Sequence, residues 1–470
     1  MQFYAMSMYH NDSMVTVLLA GALLCFGAQA QAQPVPEVES QPQEQLQPSV
    51  MTLHDCMEYA VSNSTGMRIQ AADRNDEQWQ RRHSIMQAFT PEVAAQSYAY
   101  NQYGRNLDPE TNTYNTVTTF YNGYQVNAGI TLFNGFQAVN NLRMASTSAK
   151  MGASKEQQER DRICLAVMEA YSNVLYYSEM EKVVAEQVET AKSARDRAVR
   201  QEELGQKSHA DVVQMESELA QKEYLLVTTA NQKSNAMMTL KDVMYWPVED
   251  ELVLDTEISD PLCRSIAASE LEGSAKAFLP SAQIASFDLQ NATLALKSAR
   301  GTFSPKLGLY GGWSTTYYTY PGRTGYSPAS FSNQFKNNGG EYIELALNIP
   351  IFDKLSRRTD IQRKKNDLSR AEARFDQTMR DIENEVRRAL NDRDGAEAAY
   401  RQAGRLADVQ QEAWHLSAKQ YETGLISAIE YQTASQSYLN AMAERMNSLL
   451  TLSIKDAVVR YYNGEPYINQ

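Results

Sequence analysis

Proline is absent from Phe136 to Leu204 and again from Lys354 to Thr423. A helix through either stretch, roughly 65 residues long, would reach about 100 Å. In the first, Ile163, Val167, Ala170, Val174 and Tyr177 recur at steps of 4, 3, 4 and 3; in the second, Phe375, Met379, Ile382 and Val386 do the same. That is coiled-coil spacing, so each rod needs helical neighbours along its length. Between these positions lie charges of both signs, as on a solvated face. Gly205 and Gly424 stand where each rod would reverse, and glycine permits the left-handed backbone of a helix C-cap. Returning helices are expected over about His209–Trp246 and Ser427–Tyr462. Ala145, Ala149, Ala191, Ala371 and Ala389 suit close helix packing.

The rods belong to an internal repeat with a period of about 215 to 219 residues. Phe89-Thr90-Pro91 answers to Phe303-Ser304-Pro305, Leu132-Phe133-Asn134 to Ile351-Phe352-Asp353, and Leu204-Gly205 to Thr423-Gly424. So long a period marks duplication of one large unit rather than a solenoid. Each half runs helix, strand, loop, strand, long helix, glycine turn, helix. Tyr124, Val126, Ala128, Ile130 and Leu132 share one face of a strand whose other face holds Gln125, Asn127, Gly129 and Thr131. Ile343, Leu345, Leu347, Ile349 and Ile351 likewise oppose Tyr342, Glu344, Ala346, Asn348 and Pro350. Their partners, 92–103 and 306–319, alternate less cleanly and are rich in Tyr and Gly. Alternating segments of about 10 residues suit a transmembrane barrel, and a soluble sheet with one wet face alternates in the same way. The joining loops, 106–119 and 320–340, are polar and suit the exterior of a barrel.

Composition narrows the function. With 44 Lys+Arg against 57 Asp+Glu, the net charge is −13, and the pI is near 5.1. Nucleic acid would need a basic footprint; the one basic cluster (Arg357, Arg358, Arg363, Lys364, Lys365, Arg370) reads as a solvated helix face. A mean hydropathy of −0.50, with no later apolar run near 20 residues, excludes a multi-span helical membrane protein. Cys25, Cys56, Cys164 and Cys263 give no disulfide framework or metal spacing, and His10, His54, His83, His209 and His415 are scattered. No Ser/His/Asp order or phosphate-cradling glycine loop is present. An enzyme is not expected, nor a metal or other cofactor.

Val15–Phe26 (VTVLLAGALLCF) has the length of a signal-peptide h-region, followed by Ala28-Gln29-Ala30 and Ala30-Gln31-Ala32, although no Lys or Arg precedes Arg68. The expected organisation is a signal peptide over 1–32, a Pro/Gln/Glu-rich disordered linker over 33–50, and a first repeat over 51–246. A connector over 247–279, a second repeat over 280–462 and a tail over 463–470 complete it. Strands are expected near 92–103, 121–133, 306–319 and 341–352.

Four strands cannot seal themselves in lipid, because their edges would expose unpaired backbone to hydrocarbon. Two copies would give an 8-stranded barrel filled by its own side chains. Three give 12 strands with room for a lumen, and the hairpins of three copies would make a tube of 12 helices.

Several segments resemble the TolC-like outer membrane efflux proteins, the outer membrane factors. TLHDCMEYAVSNS resembles the family's first helix; ITLFNGFQAVNNLRMA and LNIPIFDKLSRRTDI resemble its strand-to-helix junctions. RQEELGQKSHADVVQMESELAQ and QYETGLISAIEYQTASQSYLNA resemble its hairpin tips. The resemblance covers about Leu53 to Tyr462. It implies a mainly α protein with β structure, trimeric, with four strands per protomer in a shared 12-strand outer-membrane barrel and a coiled-coil periplasmic α-barrel. It implies a Gram-negative outer-membrane location and a passive duct for tripartite efflux or type I secretion. Its partners would be a periplasmic adaptor and an inner-membrane pump of the RND, ABC or MFS type.

By position, Gly205, Gln206, Gly424 and Leu425 would dock the adaptor. Tyr421 and Asp211 would form a gating latch, without the arginine that Ile426 replaces. Glu430 would ring the pore constriction, with Thr433 where a second acidic ring would lie. Ile343, Leu345, Leu347 and Ile349 would face lipid. The alternative is the periplasmic adaptor itself, which carries one hairpin rather than two.

Overall fold

The computed structural model describes residues 50–107, 112–256, 267–325 and 327–469. The expected signal peptide, nearly all of the linker, Cys25, Cys263 and part of the 247–279 connector lie outside these residues. The chain divides into two compact units.

The first unit comprises 82–142 and 297–362 among the described residues and is built on a sheet. Strands β1 (Glu92–Gln102), β4 (Thr119–Phe133), β5 (Lys306–Thr319) and β6 (Gly340–Asn348) pair antiparallel in the order β1-β4-β5-β6. A short hairpin, β2 (Arg105–Leu107) with β3 (Tyr114–Thr116), occupies part of the loop between β1 and β4. β6 ends at Asn348 rather than near residue 352. Pro350 has no N–H to offer a ladder, so pairing with β5 runs only from Gly340 to Asn348.

The second unit comprises 50–81, 143–296 and 363–469 among the described residues and is helical. The helices, several shared with the first unit, are α1 (Leu53–Asn63), α2 (Thr65–Phe89), α3 (Gln137–Glu203), α4 (His209–Met244), α5 (Ala268–Phe278) and α6 (Pro280–Gly301). After β5 come α7 (Phe331–Asn337), α8 (Ser356–Glu422) and α9 (Ala428–Tyr462), with a 3-10 turn at Tyr467–Asn469. α3 and α8 each span 67 residues. The residues at coiled-coil spacing enter the core: Ile163, Val167, Ala170 and Val174 are buried with Ile382 and Val386. Cys56 and Cys164 are buried free thiols, and burial pushes both up to about 12. Both are therefore thiols packed as small apolar groups. No helix among the described residues is long and apolar enough to cross a membrane.

α2 lies against α3 through glycines. The absent Cβ of Gly152 would sit 2.0 Å from Glu77 Oε2, and that of Gly66 would sit 2.2 Å from Glu159 Oε1. Arg74 donates to Glu156 at 2.6 Å beside them. Gly152→Ala is expected to displace Glu77 and lower the thermal midpoint by about 1–3 °C, since overpacking costs about 1–3 kcal/mol and each kcal/mol corresponds to about 1 °C in a chain of this size. An unchanged midpoint would show that Glu77 simply swings away.

The repeat extends to backbone geometry. Gly135 and Phe136 have φ of 69° and 63°, and Lys354 and Leu355 have 57° and 68°. Just before them, Asn134 Oδ1 accepts from Ala138 N at 3.2 Å and Asp353 Oδ2 accepts from Arg357 N at 2.8 Å. Both strand-to-helix corners thus use the same successive left-handed residues and the same side-chain cap.

Candidate functional site

The two hairpin tips are the same turn built twice. Gln206 N donates to Gln201 O at 2.8 Å and Gly205 N to Glu202 O at 2.8 Å; Leu425 N donates to Gln420 O at 2.9 Å and Gly424 N to Tyr421 O at 3.1 Å. These are Schellman caps, and they require the φ of 70° at Gly205 and 75° at Gly424. Nothing lies within 4 Å of the position a Cβ would take at either glycine. Leu425 is exposed at the second tip.

Each return helix then opens with a capping box. Ser208 Oγ accepts from Asp211 N at 3.3 Å, while Asp211 Oδ2 accepts from Ser208 N at 3.0 Å and from its hydroxyl at 2.8 Å. Ser427 and Glu430 repeat the arrangement at 3.3, 2.8 and 3.0 Å. Asp211 and Glu430 are therefore equivalent residues. The Ser-x-x-Asp and Ser-x-x-Glu spacing was legible in the sequence as a helix start, a role the functional reading of those carboxylates passes over. Hydrogen bonds from Ser208 hold the Asp211 carboxyl below its ordinary value. The Ser427 bonds do the same for Glu430.

A carboxyl depressed in the folded state stabilises above its unfolded pKa, and the benefit fades as pH falls through the folded value. Both tips are expected to loosen in acid below the ordinary carboxylate range. Hydrogen exchange at 206–212 and 425–431, corrected for intrinsic rates, tests this; protection that does not change with pH would refute it. Ser208→Ala should cost about 1 kcal/mol of local stability.

Tyr421 is buried beneath the second tip. Its ring stacks on Tyr431 at 5.4 Å between centroids, and Lys207 Nζ sits 3.6 Å from its centroid. Burial pushes its hydroxyl up to about 12, with nearby Asp211 adding to the effect. That hydroxyl finds no hydrogen-bond partner among the described residues. It borders a cavity of about 90 Å³ lined also by Arg197, Gln201, Lys207 and Glu422, the last paired with Arg197 at 2.5 Å. Thus Asp211 and Tyr421 are near neighbours, and the carboxylate's described bonds go to Ser208.

In the sheet, register separates two faces. One carries Val93, Ala95, Val126, Ala128, Leu309, Trp313, Ile343, Leu345 and Leu347. It is open: Ile343, Leu345 and Leu347 are 71, 64 and 61% exposed, and Ile349, just past β6, is 59% exposed. Aromatic rings gather at its far end, where Phe331 and Phe335 of α7 meet Tyr124, Trp313 and Tyr317. The opposite face carries Gln96, Gln125, Asn127, Ser314, Thr316 and Glu344 with six tyrosines.

α7 also finishes the sheet edge. β5 outlasts β6, and beyond Ser314 its outer backbone meets side chains instead of a strand. Gln334 accepts from Tyr318 N and donates to Tyr318 O, both at 3.0 Å, and Asn338 Nδ2 donates to Thr316 O at 2.6 Å. This helix was not foreseen, because seven residues in a polar loop carry no helical period of their own.

Residues 274–460 match the family model described as outer membrane efflux protein. No curated protein matches the chain. Among solved structures, CusC superposes with a TM-score of 0.74 at 14% identity, covering 87% of this chain and 91% of that one. VceC of Vibrio cholerae gives 0.71 at 14%, with 87% and 96% covered. MtrE of Neisseria gonorrhoeae, an outer membrane channel in its open state, gives 0.72 at 17%, with 89% and 90% covered. The family match lies within the second half of the chain, and the fold as a whole is the one these outer membrane channel structures share.

Proposed function

We propose that three copies of this chain form a channel of a tripartite efflux or type I secretion system, conducting cargo passively to the cell exterior. The observation that carries this is the four-stranded sheet, with one open apolar face, one polar face and two unpaired edges at β1 and β6. Such a sheet is stable in lipid only when copies close it, and three copies supply 12 strands with a lumen. Ile343, Leu345, Leu347 and Ile349 then face lipid, with the aromatic cluster at α7 as one interfacial girdle. The chain carries no catalytic role in this reading; an adaptor is disfavoured by the two hairpins where one is expected.

At the hairpin tips, Gly205, Gln206, Gly424 and Leu425 are the surface for a periplasmic adaptor that links the channel to an inner-membrane pump. The unpartnered Tyr421 hydroxyl and Asp211 act as the latch, and Glu430 lies at the constriction. Tyr421→Phe or Asp211→Ala is expected to raise single-channel conductance in planar bilayers. Conductance unchanged by either would remove the latch from the proposal, and recovery of the protein as a soluble monomer would remove the channel.

A further inference from the structure

On the polar face of the sheet, three tyrosines are each paired in register with a glycine: Tyr98 with Gly123, Tyr310 with Gly129, and Tyr342 with Gly312. The pairing is intimate. A Cβ on Gly123 would sit 2.3 Å from Tyr98 Cζ, and one on Gly312 would sit 2.8 Å from Tyr342 Cε1. Tyr310 is held from two sides, its Cδ1 2.8 Å from the Cβ position of Gly129 and its Cε2 2.7 Å from that of Gly308. The rings therefore lean down over the sheet into space that any other residue would fill. Tyr98, Tyr310 and Tyr342 remain 42, 43 and 45% exposed, so the surface they leave open is ring face.

Charge follows the same register. Glu92 pairs with Gly129, Gly129 with Tyr310, and Tyr310 with Glu344. One row across four strands thus reads carboxylate, glycine, tyrosine face, carboxylate. At about 4.8 Å per strand, the two carboxylates stand about 14 Å apart, flanking the ring. Toward the end of the strands that bears the long loops, further tyrosines continue the surface: Tyr98–Tyr100, Tyr100–Tyr121 and Tyr121–Tyr318 have centroids 6.1, 5.2 and 6.5 Å apart.

We infer that this face is a stacking track for planar aromatic cations. Exposed ring faces offer dispersion and cation–π attraction, flanking carboxylates favour positive charge over negative, and flat rings leave the passage wide. Contacts of this kind are individually weak, which suits a surface that must release what it guides. The inference rests on the channel reading and names its cargo class.

The test is block of single-channel current by ethidium added to the full-length protein in planar bilayers, with tetramethylammonium as a cation lacking a ring. Ethidium is expected to block, and Tyr98→Leu/Tyr310→Leu/Tyr342→Leu to weaken that block about tenfold. Phenylalanine at the three positions should retain it. Glu92→Gln/Glu344→Gln should lower the preference for either cation over chloride. If the triple leucine variant does not assemble, Tyr310→Leu alone is read in the same way, with a smaller loss expected. Conducting wild-type protein that ethidium does not block, or block untouched by leucine, overturns the track and leaves the channel standing. No conductance from any variant, wild type included, overturns the channel itself.

Discussion

Gly424→Pro is expected to abolish export while the protein still reaches the outer membrane as a trimer. Proline fixes φ near −65° and has no N–H, whereas Gly424 holds 75° and donates to Tyr421 O at 3.1 Å. The reversal fails at the point where α8 hands over to α9, directly above Tyr421. Gly205→Phe makes an instructive contrast. Nothing lies within 4 Å of a Cβ at residue 205, so its structural cost is only the left-handed backbone, about 1–2 kcal/mol. A loss of export from Gly205→Phe would therefore report on adaptor docking rather than on a broken hairpin. Both are read as drug and dye susceptibility in a host lacking the wild-type gene, with heat-resistant trimer assayed alongside. Resistance restored by Gly424→Pro would refute the gating role of the tip.

Gly135→Val should act earlier, by preventing accumulation of the folded protein. A Cβ at residue 135 would stand 2.2 Å from Gly301 O, and one at residue 301 would stand 2.2 Å from Gly135 O. Two stretches of backbone meet there with no room between them. Valine adds the penalty of a β-branched side chain at a φ of 69°, so the total strain exceeds the 1–3 kcal/mol of a backbone outlier alone. The duplicated corner supplies the control. Lys354 occupies the matching position at 57° with a full side chain, so the left-handed backbone by itself is tolerated. Lys354→Gly should leave the yield of assembled protein nearly unchanged. Wild-type yield from Gly135→Val would show that the Gly135–Gly301 approach relaxes freely.

Much of this architecture can be read from the sequence because duplication doubles the signal. The rods, the reversals at Gly205 and Gly424 and the alternation over Tyr124–Leu132 are local patterns, and each is supported by its copy. What escaped depends on partners distant in the chain. The pairing of Tyr310 with Gly129 and Glu344 appears only once β5 is aligned between β4 and β6. α7 forms where Gln334 and Asn338 meet an otherwise bare strand edge. The capping boxes are the instructive case: Ser208 and Asp211 lie three residues apart in plain view. A carboxylate beside a turn invites a functional role, yet the backbone N–H groups of a new helix claim it first.

The substitution of amide side chains for a strand beyond Ser314 has a consequence for assembly. In the proposed trimer, an incoming copy of β1 would meet along β6 a ladder only nine residues long. Beyond Gly340 no strand continues β6, and pairing directly with β5 there would require displacing the Gln334 amide from both the N–H and the C=O of Tyr318. Misaligned closure, the ordinary hazard of pairing between identical chains, is thereby penalised before lipid or neighbours take part.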